Sequence, residues 1–206
     1  QEPDPGAEIL FDGTPIPTKP AQLREFHKRV QLVFQDPSAA LNPKMTVYES
    51  VAEGLRVQRF DGDEEQRVRQ SLIEAELTPP DDFIGAIPQE LSGGQRQRVV
   101  IAGALALQPE LLIADEPVAS PDASVRGEIL GLLLSLRRQL GLAALGITHD
   151  LGLAWNIADS VAVMHRGQLV EYGPTEAVLL NPQHSYTKTL LAAAPSIGDV
   201  KPEPQQ

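Results

Sequence analysis

Asp115 and Glu116 stand side by side at the end of a short apolar run, Leu111-Leu112-Ile113-Ala114. Such a run reads as a buried parallel strand that delivers its last residues to the carboxyl edge of a sheet, where open α/β sheets bind ligands. The run therefore delivers two acids to a ligand-binding edge. Upstream, Ser92-Gly93-Gly94-Gln95 combines a hydroxyl, two residues without side chains and an amide. Ser92 with Gln95 three positions on predicts a capping box that opens a helix. Gly93 and Gly94 leave the positive end of that helix open to close approach by an anion such as phosphate. Arg96 and Arg98 follow in the first turns, where the helix dipole disfavours cations, so an anion or an acidic partner is expected beside them.

Two further polar groups follow apolar runs. Gln35 comes after Val30–Phe34, and His149 comes two residues after the run 143–147. A neutral amide at a strand end can orient water without adding charge. By itself Gln35 reads as a turn residue ahead of Asp36-Pro37, and a lone histidine after a strand reads as a packing or capping residue.

The elements that must hold these groups follow from the pattern. Glu8–Phe11 is a short strand closed by the hairpin signal Asp12-Gly13, and Pro15, Pro17 and Pro20 then break the chain into a loop. The segment 46–77 has a helical pattern. It opens on a Thr46/Glu49 capping box, is interrupted by the acidic turn Asp61–Glu65, and carries Val68, Leu72, Ile73 and Leu77 on one stripe. Beyond Pro117, Val125, Ile129, Leu132, Leu133, Leu136 and Leu140 share a helix face that Gly141 stops. The run 143–147 is expected as the next buried strand, then a helix over 151–157, a hairpin of 161–165 and 168–172 turning at Arg166-Gly167, and a helix start at 173–176.

The 206 residues suit one domain, or one domain with a small subdomain, and 42% hydrophobic content is enough for a core. A formal charge of −11 with no basic stripe argues against nucleic acid as a partner. With no cysteine there are no disulfides and no thiolate metal sites, which fits a cytoplasmic protein. No apolar run approaches the ~20 residues that a membrane span needs, and no signal peptide is recognisable.

LSGGQRQR at 91–98 followed by LLIADEP at 111–117 resembles the signature and Walker B motifs of the ABC-type ATPases. Each motif alone is moderately specific, but together, in this order and spacing, they are strong. VQLVFQDPSAALNP resembles that family's Q-loop, GITHDLGLA its H-loop, and the tail NPQHSYTKTLLAAAP the C-terminal segment of its oligopeptide/dipeptide (and nickel) importers. The resemblance runs from Ile9 to Pro195. It implies a P-loop NTPase-like α/β sheet flanked by helices, with a small α-helical subdomain. The implied divisions are 1–45 for the first strands and Q-loop, 46–91 for the helical subdomain, 92–180 for the catalytic core and 181–206 for the transporter-type tail. It implies ATP and Mg²⁺ as cofactors. Asp115 and Gln35 are the metal-side residues, Glu116 is the base, and His149 contacts the γ-phosphate. Ser92, Gly93, Gly94, Gln95 and the D-loop residue Asp122 face the ATP of a second ABC subunit. The implied function is the ATP-hydrolysing subunit of a peptide importer, peripheral on the cytoplasmic face of the membrane. Its partners would be a second ATPase subunit, permease subunits and, indirectly, a substrate-binding protein.

Three departures qualify this reading. No Gly-Lys dipeptide occurs, so the phosphate-cradling Walker A loop is missing, and the chain starts at Gln1 rather than Met. The expectation is an ABC domain cut off just after its first helix, with apolar faces of the neighbouring strands uncovered. The D-loop has Ala119-Ser120-Pro121 ahead of Asp122, and Gly103 stands where the family usually has arginine. These features point to one alternative, a non-catalytic subunit, truncated or decaying, that lends only its signature motif to a partner; a further alternative is a soluble ABC ATPase outside transport, against which the tail 181–195 and the acidic charge argue.

Overall fold

The computed structural model describes residues 8–117 and 123–193. Two compact units result, residues 1–147 and 148–206. In the first, β1 (Leu10–Phe11) and β2 (Thr14–Pro15) form the expected hairpin across Asp12-Gly13, both with positive φ. The helix that follows, α1 (Pro20–Arg29), is a departure from the expected loop. Pro20 sits at the first helical position, where its fixed φ suits a helix and its missing N–H leaves no donor unmet.

Strand β3 (Val30–Val33), β4 (Leu111–Asp115) and β5 (Ala143–Ile147) form a parallel sheet in the order β3-β4-β5, with Val33 opposite Ala114 and Asp115 opposite Ile147. Its two faces differ. Val33, Leu112 and Ala114 are buried, in the core shared with α5 (Gly93–Leu105) and α6 (Ala123–Leu140). On the opposite face Leu32 is 42%, Leu145 53% and Ile147 52% exposed. The strand over 143–147 is therefore present but not buried. Every residue of β5 is exposed, and among the described residues no strand pairs with its outer edge. This is the uncovered apolar surface that the motif inventory predicts.

The helical part holds α2 (Pro37–Ala40), α3 (Val47–Val57) and α4 (Glu64–Glu74), packed on α5. The Thr46/Glu49 capping box forms: Thr46 N donates to Glu49 at 2.8 Å and Glu49 N to Thr46 Oγ1 at 3.2 Å. Val68, Leu72 and Leu77 are buried, but Ile73 is 46% exposed and lies off the stripe. Arg67, on α4, reaches the far end of α5. Its Nε donates to Ala106 O at 3.0 Å, and its Nη2 meets Glu74 at 3.0 Å in a nearly buried pair. That guanidinium satisfies carbonyls that the end of a helix leaves unpaired. On α6, Ile129, Leu132 and Leu136 are buried as expected, whereas Leu140 is 47% exposed at the frayed end before Gly141, whose φ is +65°.

The second unit contains α7 (Leu151–Ile157), β6 (Ser160–His165), β7 (Gln168–Pro174), α8 (Thr175–Leu180) and α9 (Ser185–Ala193). The hairpin turns at Arg166 and Gly167, with φ of 51° and 78°, both left-handed as a tight two-residue turn requires. Its core is Val163, Val178 and Leu179. Helix α9 is tied to the hairpin by Glu171, which accepts from Gln183 N at 2.8 Å and His184 N at 3.1 Å, and by the His165 ring stacked on Tyr186 at 3.9 Å. No helix among the described residues is long and apolar enough to cross a membrane.

Candidate functional site

The carboxyl edge of the three-stranded sheet gathers the acidic pair and the glutamine. Asp115 is the last residue of β4, half-buried and level with Ile147 of β5. Glu116 leaves the strand with its N–H donating to Ile147 O at 2.9 Å, so the ladder holds its backbone one residue beyond the strand. Its φ is +46°, a left-handed conformation that costs a non-glycine residue on the order of 1 kcal/mol. Such a conformation persists where the surroundings over-determine it. Gln35 lies two positions past Val33, the last residue of β3 and the partner of Ala114, so it follows the end of β3 as Glu116 follows the end of β4. Gln35 is exposed, and Asp36 beside it caps α2 through Ser38 N at 2.8 Å. Its turn role and its place at the edge coexist. Pro117 is buried and closes the β4 segment.

The second cluster is the start of α5. The capping box forms as read: Ser92 N donates to Gln95 Oε1 at 2.8 Å, and Gln95 N donates to Ser92 Oγ at 3.2 Å. Arg96 N donates to Ser92 O at 2.9 Å. The Ser92 hydroxyl accepts one bond here, so its proton remains available to a ligand. The helix itself gives the amides of Gly93 and Gly94 no acceptor. Ser92 and Gly93 are exposed, and a Cβ built on Gly93 meets nothing within 4 Å. At Gly94 a Cβ would come 3.3 Å from Val125 Cγ1, so Gly94 serves helix packing as well as access.

The acidic partner expected beside the two arginines is internal to the chain. Arg98 donates to Glu76 at 2.5 Å and to Glu128 at 3.4 Å, and bonds Ala75 O at 3.2 Å, tying α5 to the end of α4 and to α6. Arg96 Nη1 donates to Pro88 O at 3.3 Å and Leu91 O at 3.2 Å, bracing the turn ahead of Ser92. The role of Arg98 is not legible in local spacing, because Glu76 and Glu128 are 22 and 30 residues away.

His149 belongs to the second unit by chain, two residues past the end of β5. Asp150 beside it caps α7, accepting from Leu153 N at 3.1 Å. Asp122 lies outside the described residues. Among the described residues no group of three or more His, Asp or Glu side chains forms that could enclose a metal. Two adjacent carboxylates with a neutral amide at the same edge are hard oxygen donors, and they fit Mg²⁺, which keeps waters and shares itself with substrate phosphates.

The comparisons with known proteins agree with this geometry. The ABC transporter family model matches residues 1–119, more than half of the chain. The chain belongs to the ABC transporter family. A second model, the oligopeptide/dipeptide transporter C-terminal region, matches residues 170–206. The glutathione import ATP-binding protein GsiA of Escherichia coli O6:H1 is 44% identical over 202 residues, and that of Escherichia coli K12 is 45% identical over 204. Each alignment covers 98% of this chain but 32% of the relative, so the chain spans about a third of the curated relatives it matches. Among solved structures, cbiO1 from Clostridium perfringens, part of the ABC transporter complex cbiONQ, superposes with a TM-score of 0.76 at 30% identity. The match covers 84% of this chain and 68% of that one. A dimeric post-hydrolysis state of the ATP-binding cassette MJ0796, bound to ADP and Pi, superposes with a TM-score of 0.69 at 27% identity, covering 82% and 73%. The P-loop NTPase-like, ABC-type α/β fold read from the motifs is thereby shown.

Proposed function

We propose that this chain is the ATP-binding and ATP-hydrolysing part of an ABC importer of the oligopeptide/dipeptide class. In this reading it is peripheral on the cytoplasmic face of the membrane and works in a dimer of ATPase subunits attached to permeases. The observation that carries the proposal is the pairing of two half-sites in one unit. One is the acidic pair at the carboxyl edge of β4, the other the capped, side-chain-free start of α5.

Phosphoryl transfer to water asks the protein mainly for position and charge. Asp115 would hold Mg²⁺, which would supply positive charge to offset that of the phosphates. Glu116 accepts the proton of the attacking water, and Gln35, on the adjacent strand, orients that water by its amide. On the family resemblance, His149 would contact the γ-phosphate. The Ser92 hydroxyl and the Gly93 and Gly94 amides donate to phosphate oxygens of an ATP held by a second subunit, with Gln95 fixing the turn and Asp122 on the D-loop side of the same interface. The phosphate cradle with its lysine is not within these 206 residues, which contain no Gly-Lys pair. That fact favours a second reading for the chain by itself, as a donor of the signature motif alone.

The test is ATP-dependent pairing. Mixed with a complete ABC ATP-binding subunit whose own base is replaced by glutamine, the chain should co-elute in the presence of Mg-ATP and separate without it. Ser92→Arg should abolish the effect. Pairing that ignores ATP would sink the proposal.

A further inference from the structure

The second unit carries a hollow that the ATPase chemistry does not use. It has a volume of about 390 Å³ and is lined by Trp155, Ala158, Asp159, Pro174, Thr175 and Glu176. That volume is within the range of small-ligand sites, and all six residues belong to the unit 148–206.

The lining is one-sided in its chemistry. The amide of Ala158 donates to Ala154 O at 3.0 Å and that of Thr175 to Asp159 O at 3.0 Å, while Pro174 has no N–H. The Thr175 hydroxyl is turned onto Ala158 O at 2.6 Å, so the buried Thr175 presents lone pairs only. These same bonds pin the start of β6 to the end of β7, which makes the floor rigid. Two carboxylate residues, Asp159 and Glu176, stand in the lining and no cationic residue does. The wall is the indole of Trp155, held in place by the core of Val163, Val178 and Leu179. An aromatic residue beside a carboxylate, with no cationic residue in the lining, is the environment that attracts a planar organic cation.

We propose that this hollow binds a guanidinium group, stacked on Trp155 and paired with Glu176, either on a free small molecule or on an arginine of a partner protein. Trp155 is the chain's one tryptophan, so its fluorescence reports on the site directly. The chain is titrated with n-butylguanidinium at constant ionic strength, and with n-butylurea as the uncharged isostere. In parallel it is titrated with the peptides acetyl-Gly-Arg-Gly-amide and acetyl-Gly-citrulline-Gly-amide.

The expected result is a saturable change with the two guanidinium probes, with dissociation constants on the order of millimolar, and none with the two ureas. Tighter binding of the peptide assigns the site to a protein arginine, and tighter binding of butylguanidinium assigns it to a small molecule. Glu176→Gln should weaken binding about fivefold, and Glu176→Asp should keep it within about twofold. Glu176 is exposed, so both variants should retain the far-ultraviolet circular dichroism of the parent chain. A response that fails to saturate, one shared by the ureas, or unchanged affinity in Glu176→Gln overturns the proposal.

Discussion

Gly93→Ala separates what the signature motif does for stability from what it does for ATP. Gly93 opens α5, its φ is not left-handed, and a Cβ there meets no atom within 4 Å. Alanine therefore introduces no strain and removes the entropy that glycine loses on folding, a gain of about 0.5 kcal/mol at a first-turn position. For a unit of this size that is a rise in Tm of about 1–2 °C. The same methyl stands where a phosphate must approach the Gly93 and Gly94 amides. Loss of one or two charge-assisted hydrogen bonds, each about 1.5–3 kcal/mol, lowers ATP-dependent pairing by roughly tenfold to ten-thousandfold. Thermal unfolding followed by circular dichroism gives the first quantity, and titration of a complete ABC subunit with and without Mg-ATP gives the second. Gly94→Ala is the control. Its Cβ would press on Val125 at 3.3 Å, so the same functional loss should come without the gain in Tm. A fall in Tm for Gly93→Ala, or pairing as strong as in the parent chain, would refute the reasoning.

Four other outcomes follow from the contacts. Glu116→Gly should raise stability by about 1 kcal/mol in urea unfolding by relieving the left-handed φ of 46°, while removing the proposed base. Arg67→Ala should lower it by about 3 kcal/mol in the same assay, because Glu74 and the carbonyls ending α5 lose a nearly buried partner. Gly103→Ala should stabilise by about 1 kcal/mol, since its Cβ would sit 3.8 Å from Ser50 O, an ordinary contact. The amide of Gln183 is the main group holding the Glu171 carboxyl below its usual value of 4.5, followed by other hydrogen bonds and the charge of His184. A depressed carboxylate stabilises the fold above the ordinary pKa and loses that contribution as pH falls through the folded value. Docking of α9 should therefore hold at neutral pH and weaken below about pH 4.5, read as increased amide exchange in 185–193, and Glu171→Gln should remove the pH dependence.

Much of the site was legible because its signals are local. The capping boxes at Thr46 and Ser92, the apolar run into Asp115-Glu116 and the Arg166-Gly167 turn each lie within a few residues, and each forms where the pattern puts it. The failures have a different cause. Helix α1 reads as loop in the sequence because three prolines look like breakers, whereas one of them is a helix start. Strand β5 has a core composition yet stands exposed, because burial depends on neighbours and not on its own residues. Ile73 and Leu140 drift off their stripes near helix ends, where period and packing part company. The clamps made by Arg67 and Arg98 cross 22 to 39 residues of sequence, and no spacing rule reaches that far.

The most direct test of the central claim joins a phosphate cradle to these residues. A polypeptide carrying a strand, a G-x-x-x-x-G-K-[ST] loop and a helix is joined ahead of Glu8, and Mg²⁺-dependent release of phosphate from ATP is followed in the purified dimer. Turnover should appear, and Glu116→Gln should cut it by about 10²–10⁴ at unchanged Tm. Turnover equal in the parent and the Glu116→Gln chains would contradict the account.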